Sequence, residues 1–99
     1  MQQNLYIRLM EHHQPHISIY INEFGYTIIS MDDYELFDTI EDYLNEECDF
    51  NFEYVNIDEE NKKYEINLEK NYSFEEVRDV ILKLDKEEIE RIYRVNNPV

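Results

Sequence analysis

Residues 16–49 read HISIYINEFGYTIISMDDYELFDTIEDYLNEECD, and the spacing of the apolar positions changes once within them. Ile17, Ile19 and Ile21 alternate with Ser18 and Tyr20, the period of two that marks a strand with one buried face. Glu23-Phe24-Gly25 makes a turn in which Gly25 takes positive φ without steric cost, and Tyr26 to Met31 completes a hairpin. Beyond Met31 the period becomes 3.6. Leu36, Phe37, Ile40, Tyr43 and Leu44 fall on one arc of a helix that starts near Asp32 or Asp33, either of which can cap it.

Working outward, Leu5, Ile7 and Leu9 alternate from Asn4 to Met10 and predict a first strand, which a loop at His12-His13-Gln14-Pro15 separates from the hairpin. Toward the C-terminus, Phe50, Phe52 and Tyr54 alternate with Asn51 and Glu53, and Tyr64, Ile66 and Leu68 with Glu65, Asn67 and Glu69. These are two more strands, joined by a turn at Glu59–Lys62. Ser73 followed by Glu76 has capping-box spacing and opens a helix that buries Phe74, Val77, Ile81 and Leu84. Asp85 and Glu88 repeat that spacing ahead of a short last helix carrying Ile89, Ile92 and Tyr93. No Gly/Ser/Pro-rich linker and no repeat divides residues 1–99, so one domain is expected. Its predicted order is β-β-β-α-β-β-α-α: an α+β fold with a five-stranded, mostly antiparallel sheet covered by helices.

Charge carries the functional signal. The chain has 24 Asp and Glu against 9 Lys and Arg, for a formal net charge of −15. Fifteen carboxylates lie between Leu9 and Asn61 (Glu11, Glu23, Asp32, Asp33, Glu35, Asp38, Glu41, Asp42, Glu46, Glu47, Asp49, Glu53, Asp58, Glu59, Glu60), with no Lys or Arg among them. The remaining nine acids face nine bases and cancel them. An even acidic surface serves solubility, and halophilic adaptation would not spare the C-terminal forty residues; a one-sided field points to a basic partner and against direct contact with nucleic acid.

On the predicted helix, Glu35, Asp38, Glu41, Asp42 and Glu46 lie opposite the apolar arc. A solvated face is the plain explanation, yet like charges at Asp38/Glu41, Asp38/Asp42 and Asp42/Glu46 oppose helix formation. Glu46, Glu47 and Asp49 also crowd the end that the helix dipole makes negative. From Glu35 to Glu46 an α-helix rises about 16 Å, so its five acids recur every 3–4 Å or so, close to the ~3.4 Å phosphate spacing along one strand of DNA. Such a helix can imitate a phosphate row. Nine tyrosines and no tryptophan add amphipathic side chains, and Tyr34, Tyr54 or Tyr20 beside the acids can anchor a partner, while Tyr43, Tyr64 and Tyr93 suit the edge of the core.

Residues for catalysis are sparse. Glu11, His12, His13 and His16 are of metal-ligand type, but Pro15 breaks any helical frame and no second ligand pair follows, so neither metal nor other cofactor is expected. Cys48, the sole cysteine, sits among Glu46, Glu47 and Asp49, whose charges disfavour a thiolate. Ser18 and Ser30 belong to strands, Ser73 is a cap, and one glycine makes no phosphate cradle. No apolar run approaches the roughly 18 residues of a membrane span. A lone cysteine, no basic-apolar leader and AT-rich residue usage without alanine fit a bacterial or phage protein of the cytoplasm.

The expectation is therefore a non-enzymatic acidic inhibitor that occludes a basic nuclease or other nucleic-acid-binding protein, in the manner of phage anti-defence (anti-CRISPR or anti-restriction) or nuclease-toxin immunity proteins. Its contact surface would comprise Tyr34, Glu35, Asp38, Glu41, Asp42, Glu46, Glu53, Tyr54, Asp58, Glu59 and Glu60. The alternative is an adaptor or assembly domain whose acidity serves solubility. Monomer and homodimer both remain compatible with the sequence.

Overall fold

The computed structural model of the protein describes residues 11–97. Five strands, β1 (Glu11–Gln14), β2 (Ile17–Ile21), β3 (Thr27–Met31), β4 (Phe52–Asp58) and β5 (Lys63–Leu68), form an antiparallel sheet in the order β1-β2-β3-β5-β4. Helix α1 (Tyr34–Asp42) follows β3 and runs on into a π-helical turn, Tyr43–Glu47. Helices α2 (Phe74–Leu82) and α3 (Lys86–Asn96) end the fold.

All three helices lie on one face of the sheet, as side-chain alternation dictates. Ile17, Ile19, Ile29, Met31, Tyr64, Ile66 and Leu68 point toward them and pack on Leu36, Phe37, Ile40 and Leu44 of the first helical segment, Val77 and Ile81 of α2, and Ile89 of α3. Each fully buried aliphatic side chain contributes about 1.5–3 kcal/mol, and this cluster is the source of the stability. Strand β5 is buried from Tyr64 to Leu68 and lies between β3 and β4, whereas β4 has one neighbour among the described strands and is exposed along much of its length.

Four strands occupy the places that alternation predicts; two local features differ. The strand expected over Asn4–Met10 lies outside the described residues. The expected loop at His12–Pro15 is instead strand as far as Gln14, because Pro15 and His16 close a two-residue turn between the paired Gln14 and Ile17. Proline suits the first turn position, where its fixed φ is an asset and no amide is needed, and His16 then takes φ 63°. In β4, the register shifts between Phe52 and Tyr54. Phe52 pairs with the inward-facing Leu68, but Tyr54 pairs with Asn67 of the opposite face, so the extra residue inverts the expected alternation and hands the helix side to Val55 and Ile57.

The helix caps follow their chemistry with one exception. Ser73 Oγ accepts from the Glu76 amide at 3.1 Å while the Ser73 amide donates to Glu76 Oε1 at 3.1 Å, a complete capping box. Asp85 accepts from the Glu87 amide, but Glu88 turns to Arg91 instead of reaching back, so only half of that motif forms. The last helix, expected to be short, spans eleven residues.

Strand β1 also secures the end of α2. Gln14, buried at the end of β1, donates from Nε2 to the carbonyl of Ile81 at 3.0 Å, which also accepts from the Leu84 amide at 3.1 Å, and to the carbonyl of Leu84 at 2.8 Å just past the helix end. Gln14→Leu keeps the volume and removes both donors, so urea unfolding should show a loss of about 1–3 kcal/mol; an unchanged midpoint would mean that water serves those carbonyls equally well.

Candidate protein-binding surface

Asp33 sets the phase of α1. Its backbone is extended (φ −139°), its Oδ2 accepts from the Leu36 amide at 2.9 Å, and its Oδ1 accepts from Asn97 Nδ2 at 3.0 Å. With the first turn pinned, Leu36, Phe37 and Ile40 point into the core and Glu35, Asp38 and Asp42 project into solvent. Glu41 is half-buried on the flank. The carboxylates of Asp38, Glu41 and Asp42 converge, with oxygens all within 4.8 Å of one another. Partial burial, then the charges of Asp38 and Asp42, raise the Glu41 pKa above the usual carboxylate value. Oxygen donors of this kind suit hard cations, but Asp38 and Asp42 are exposed and such clusters are common on acidic surfaces without an ion.

Among the described residues, no carboxylate from Glu23 to Glu60 takes part in an ion pair. Acids of the C-terminal part do: Glu65 with Lys63, Asp79 with Arg78, Glu88 with Arg91 and Glu90 with Arg94. The separation of charge in the sequence is thus a separation in local pairing as well.

The π-helical turn modifies the expected row of acids. Cys48 N–H donates to Tyr43 O at 3.2 Å, the five-residue span of a π turn. The wider turn leaves Leu44 buried and Tyr43 donating from its hydroxyl to Val80 O at 2.8 Å. Glu46 lies in this turn, is exposed, and does not belong to the Asp38–Glu41–Asp42 group. Regular α-helical spacing therefore holds from Glu35 through Asp42 and not to Glu46.

The remaining expected contact residues belong to β4 and its turn. Glu53 lies at the register shift, and Asp58 opens the turn, where Asn61 donates to its carboxylate from both backbone and side chain. Those hydrogen bonds lower the Asp58 pKa, and Glu59 and Glu60 are exposed beside it. Tyr34, 45% exposed, stands edge-on to Tyr64 at 5.7 Å and beside Phe37 at 5.9 Å. Tyr54, 57% exposed, lies on the other face of the sheet and does not join Tyr34. Tyr20 gives its hydroxyl to Glu65 at 2.6 Å. Ile57, 48% exposed and paired with Tyr64, extends the apolar surface beside Asp58. The pattern of alternation hides it until the shift at Glu53 is known.

His16 and Cys48 both pack against neighbouring side chains. His16 stacks on Tyr93 at 3.5 Å and is 2.5 Å from Glu90 Oε1, contacts that hold its positive φ; the side chains of His12 and His13 lie outside the described residues. Cys48 is half-buried against the core. No helix among the described residues is long and apolar enough to cross a membrane. No protein-family model, no curated protein and no solved structure matches the chain.

Two stability measurements probe this surface. Glu41, with its pKa raised, favours the folded state when protonated and opposes it when charged. Glu41→Gln should therefore raise stability at neutral pH by roughly 0.2–0.5 kcal/mol for each like-charge contact removed, and the gain should vanish in acid; a loss at pH 7 would show that the carboxylate is instead stabilising. Burial, followed by the Cys48 and Glu47 neighbours, pushes the Tyr43 hydroxyl up to about 12 from an ordinary 10.0. The folded state keeps a proton that the unfolded state releases, so stability should fall as pH rises from about 10 to about 12. Tyr43→Phe should remove that part of the alkaline slope, and an unchanged slope would assign it to other groups.

Proposed function

We propose that the protein is a non-enzymatic inhibitor whose acidic surface occludes the nucleic-acid site of a basic protein, a nuclease or another nucleic-acid-binding protein. The observation that carries this reading is that no acid from Glu23 to Glu60 forms an ion pair among the described residues, with Asp38, Glu41 and Asp42 held close together at a cost to the helix. Such clustering repels itself in the free chain and is relieved when cations of a partner approach. Phosphate mimicry is then limited to the α-helical part of the row, Glu35 to Asp42, with Glu46 apart from it in the π-helical turn and Asp58, Glu59 and Glu60 at the β4 turn.

An anti-defence role in phage and a toxin-immunity role share this mechanism. Steering by the one-sided field accelerates encounter, and the carboxylates take the places of phosphates. The exposed Tyr34, Tyr54 and Ile57 support the alternative, an adaptor whose contacts are apolar and whose charge serves solubility. Salt separates the two readings, since exposed ion pairs are screened and apolar contacts are not.

The test is capture of partners from a host or infected lysate, followed by competition with duplex DNA on the purified pair. Occlusion predicts that DNA and this protein exclude each other, that binding falls steeply with salt, and that Asp38→Asn/Asp42→Asn/Glu46→Gln weakens it about ten-fold or more, the equivalent of about 1.4 kcal/mol or greater. Simultaneous binding of DNA, or affinity unaffected by both salt and the triple substitution, would overturn the reading in favour of the adaptor.

A further inference from the structure

We infer that the open edge of β4 receives an extended cationic segment of the partner as an added, hydrogen-bonded strand. The inference rests on the proposed basic partner and assigns the mode of contact. Strand β4 pairs with β5 and ends the sheet as described. At seven residues it is the longest of the described strands, about 24 Å from end to end. Every second residue of such an edge directs its amide and carbonyl away from the sheet, a template for another strand.

Three observations indicate what would pair there. First, edges are commonly blunted by lysine, proline or bulges. Strand β4 contains no lysine and no proline, and its single register shift lies near the start, leaving Tyr54–Asp58 regular. Second, Tyr54 and Ile57 are exposed on opposite faces of the strand. An added strand alternates its side chains between those faces and would find an apolar neighbour on each. Third, the acids Glu46, Glu47, Asp49, Glu53, Asp58, Glu59 and Glu60 precede, punctuate and follow the strand with no Lys or Arg among them.

Charge also chooses the occupant. Pairing of two β4 edges from two copies would bring these acids together between chains that each carry −15. A segment rich in lysine or arginine meets the complementary field. Pairing with β5 through Asp58 keeps the edge ordered before the partner arrives, so little conformational entropy is lost on the receiving side.

The experiment uses the full chain labelled with ¹⁵N and a nine-residue peptide of alternating Lys and Thr. Two further peptides are N-methylated on alternate amides, one in each phase. Strand addition predicts that the parent peptide shifts amide resonances of Phe52–Asp58. One phase of methylation should weaken binding about ten-fold, through loss of the hydrogen bonds facing β4, while the other binds like the parent. Equal binding by all three peptides, or equal weakening by both phases, would overturn strand addition. So would shifts confined to residues 34–47, but that outcome leaves an acidic surface that attracts cations and hence the basic partner. A peptide that shifts nothing overturns strand addition too, and DNA competition then decides separately whether the partner is basic.

Discussion

The position of every acid on α1 depends on one buried carboxylate. Asp33 holds the first turn of the helix through the Leu36 amide and holds the end of α3 through Asn97. A buried charge is tolerable when its oxygens are hydrogen-bonded, and here each oxygen has a donor. Rotating the helix by one residue would drive Asp38 or Glu41 toward Ile29 and Ile66 and bring Leu36 or Ile40 into water. The cap thus ties the phase of the helix to the composition of its surface. Asn97 also donates to Tyr93 O, which links the end of α3 to the same corner.

Against that fixed frame, the charge distribution works as a load on the fold. The apolar cluster beneath α1 is continuous from β2 to α3, and its burial offsets the repulsion among acids that form no ion pair among the described residues. The pairs that do form, such as Arg91 with Glu88 and Arg94 with Glu90, stand on α3 and leave the acidic half unneutralised. Concentrating repulsion in one region while pairing charges elsewhere is a pattern that stability alone does not favour.

Much of this was readable without coordinates. The hairpin of β2 and β3, helix α1 and the cap at Ser73 rest on contiguous patterns whose periods are unambiguous. Two kinds of information were hidden. The register shift at Glu53 depends on how β4 meets β5, a relation between segments that no local alternation records, and it moved Tyr54 to the opposite face from Tyr34. The π-helical turn likewise follows from the demands of Val80 and the core on Tyr43 and Leu44, so the straight row of acids implied by α-helical spacing stops at Asp42. The strand at Glu11–Gln14 is hidden for a simpler reason: His12 and His13 carry no hydrophobic signal, and Pro15, which reads as part of a loop, only begins the turn.

Sheet order has a consequence for how the chain assembles. The path leaves the central β3, passes through α1 to the outermost strand, and returns inward by β5, so β3 finds its second neighbour only after some thirty intervening residues have been made. Strands β4 and β5 are joined by four residues and can zip together locally, whereas docking of that pair onto β3 requires closing the long loop that contains α1. Closure, with its higher contact order, is then the slow event in folding. During the wait, the β3 edge is exposed beside the emerging run of carboxylates. Mutual repulsion between nascent copies opposes wrong strand pairing at that stage, so the same acids guard the chain while it is being made.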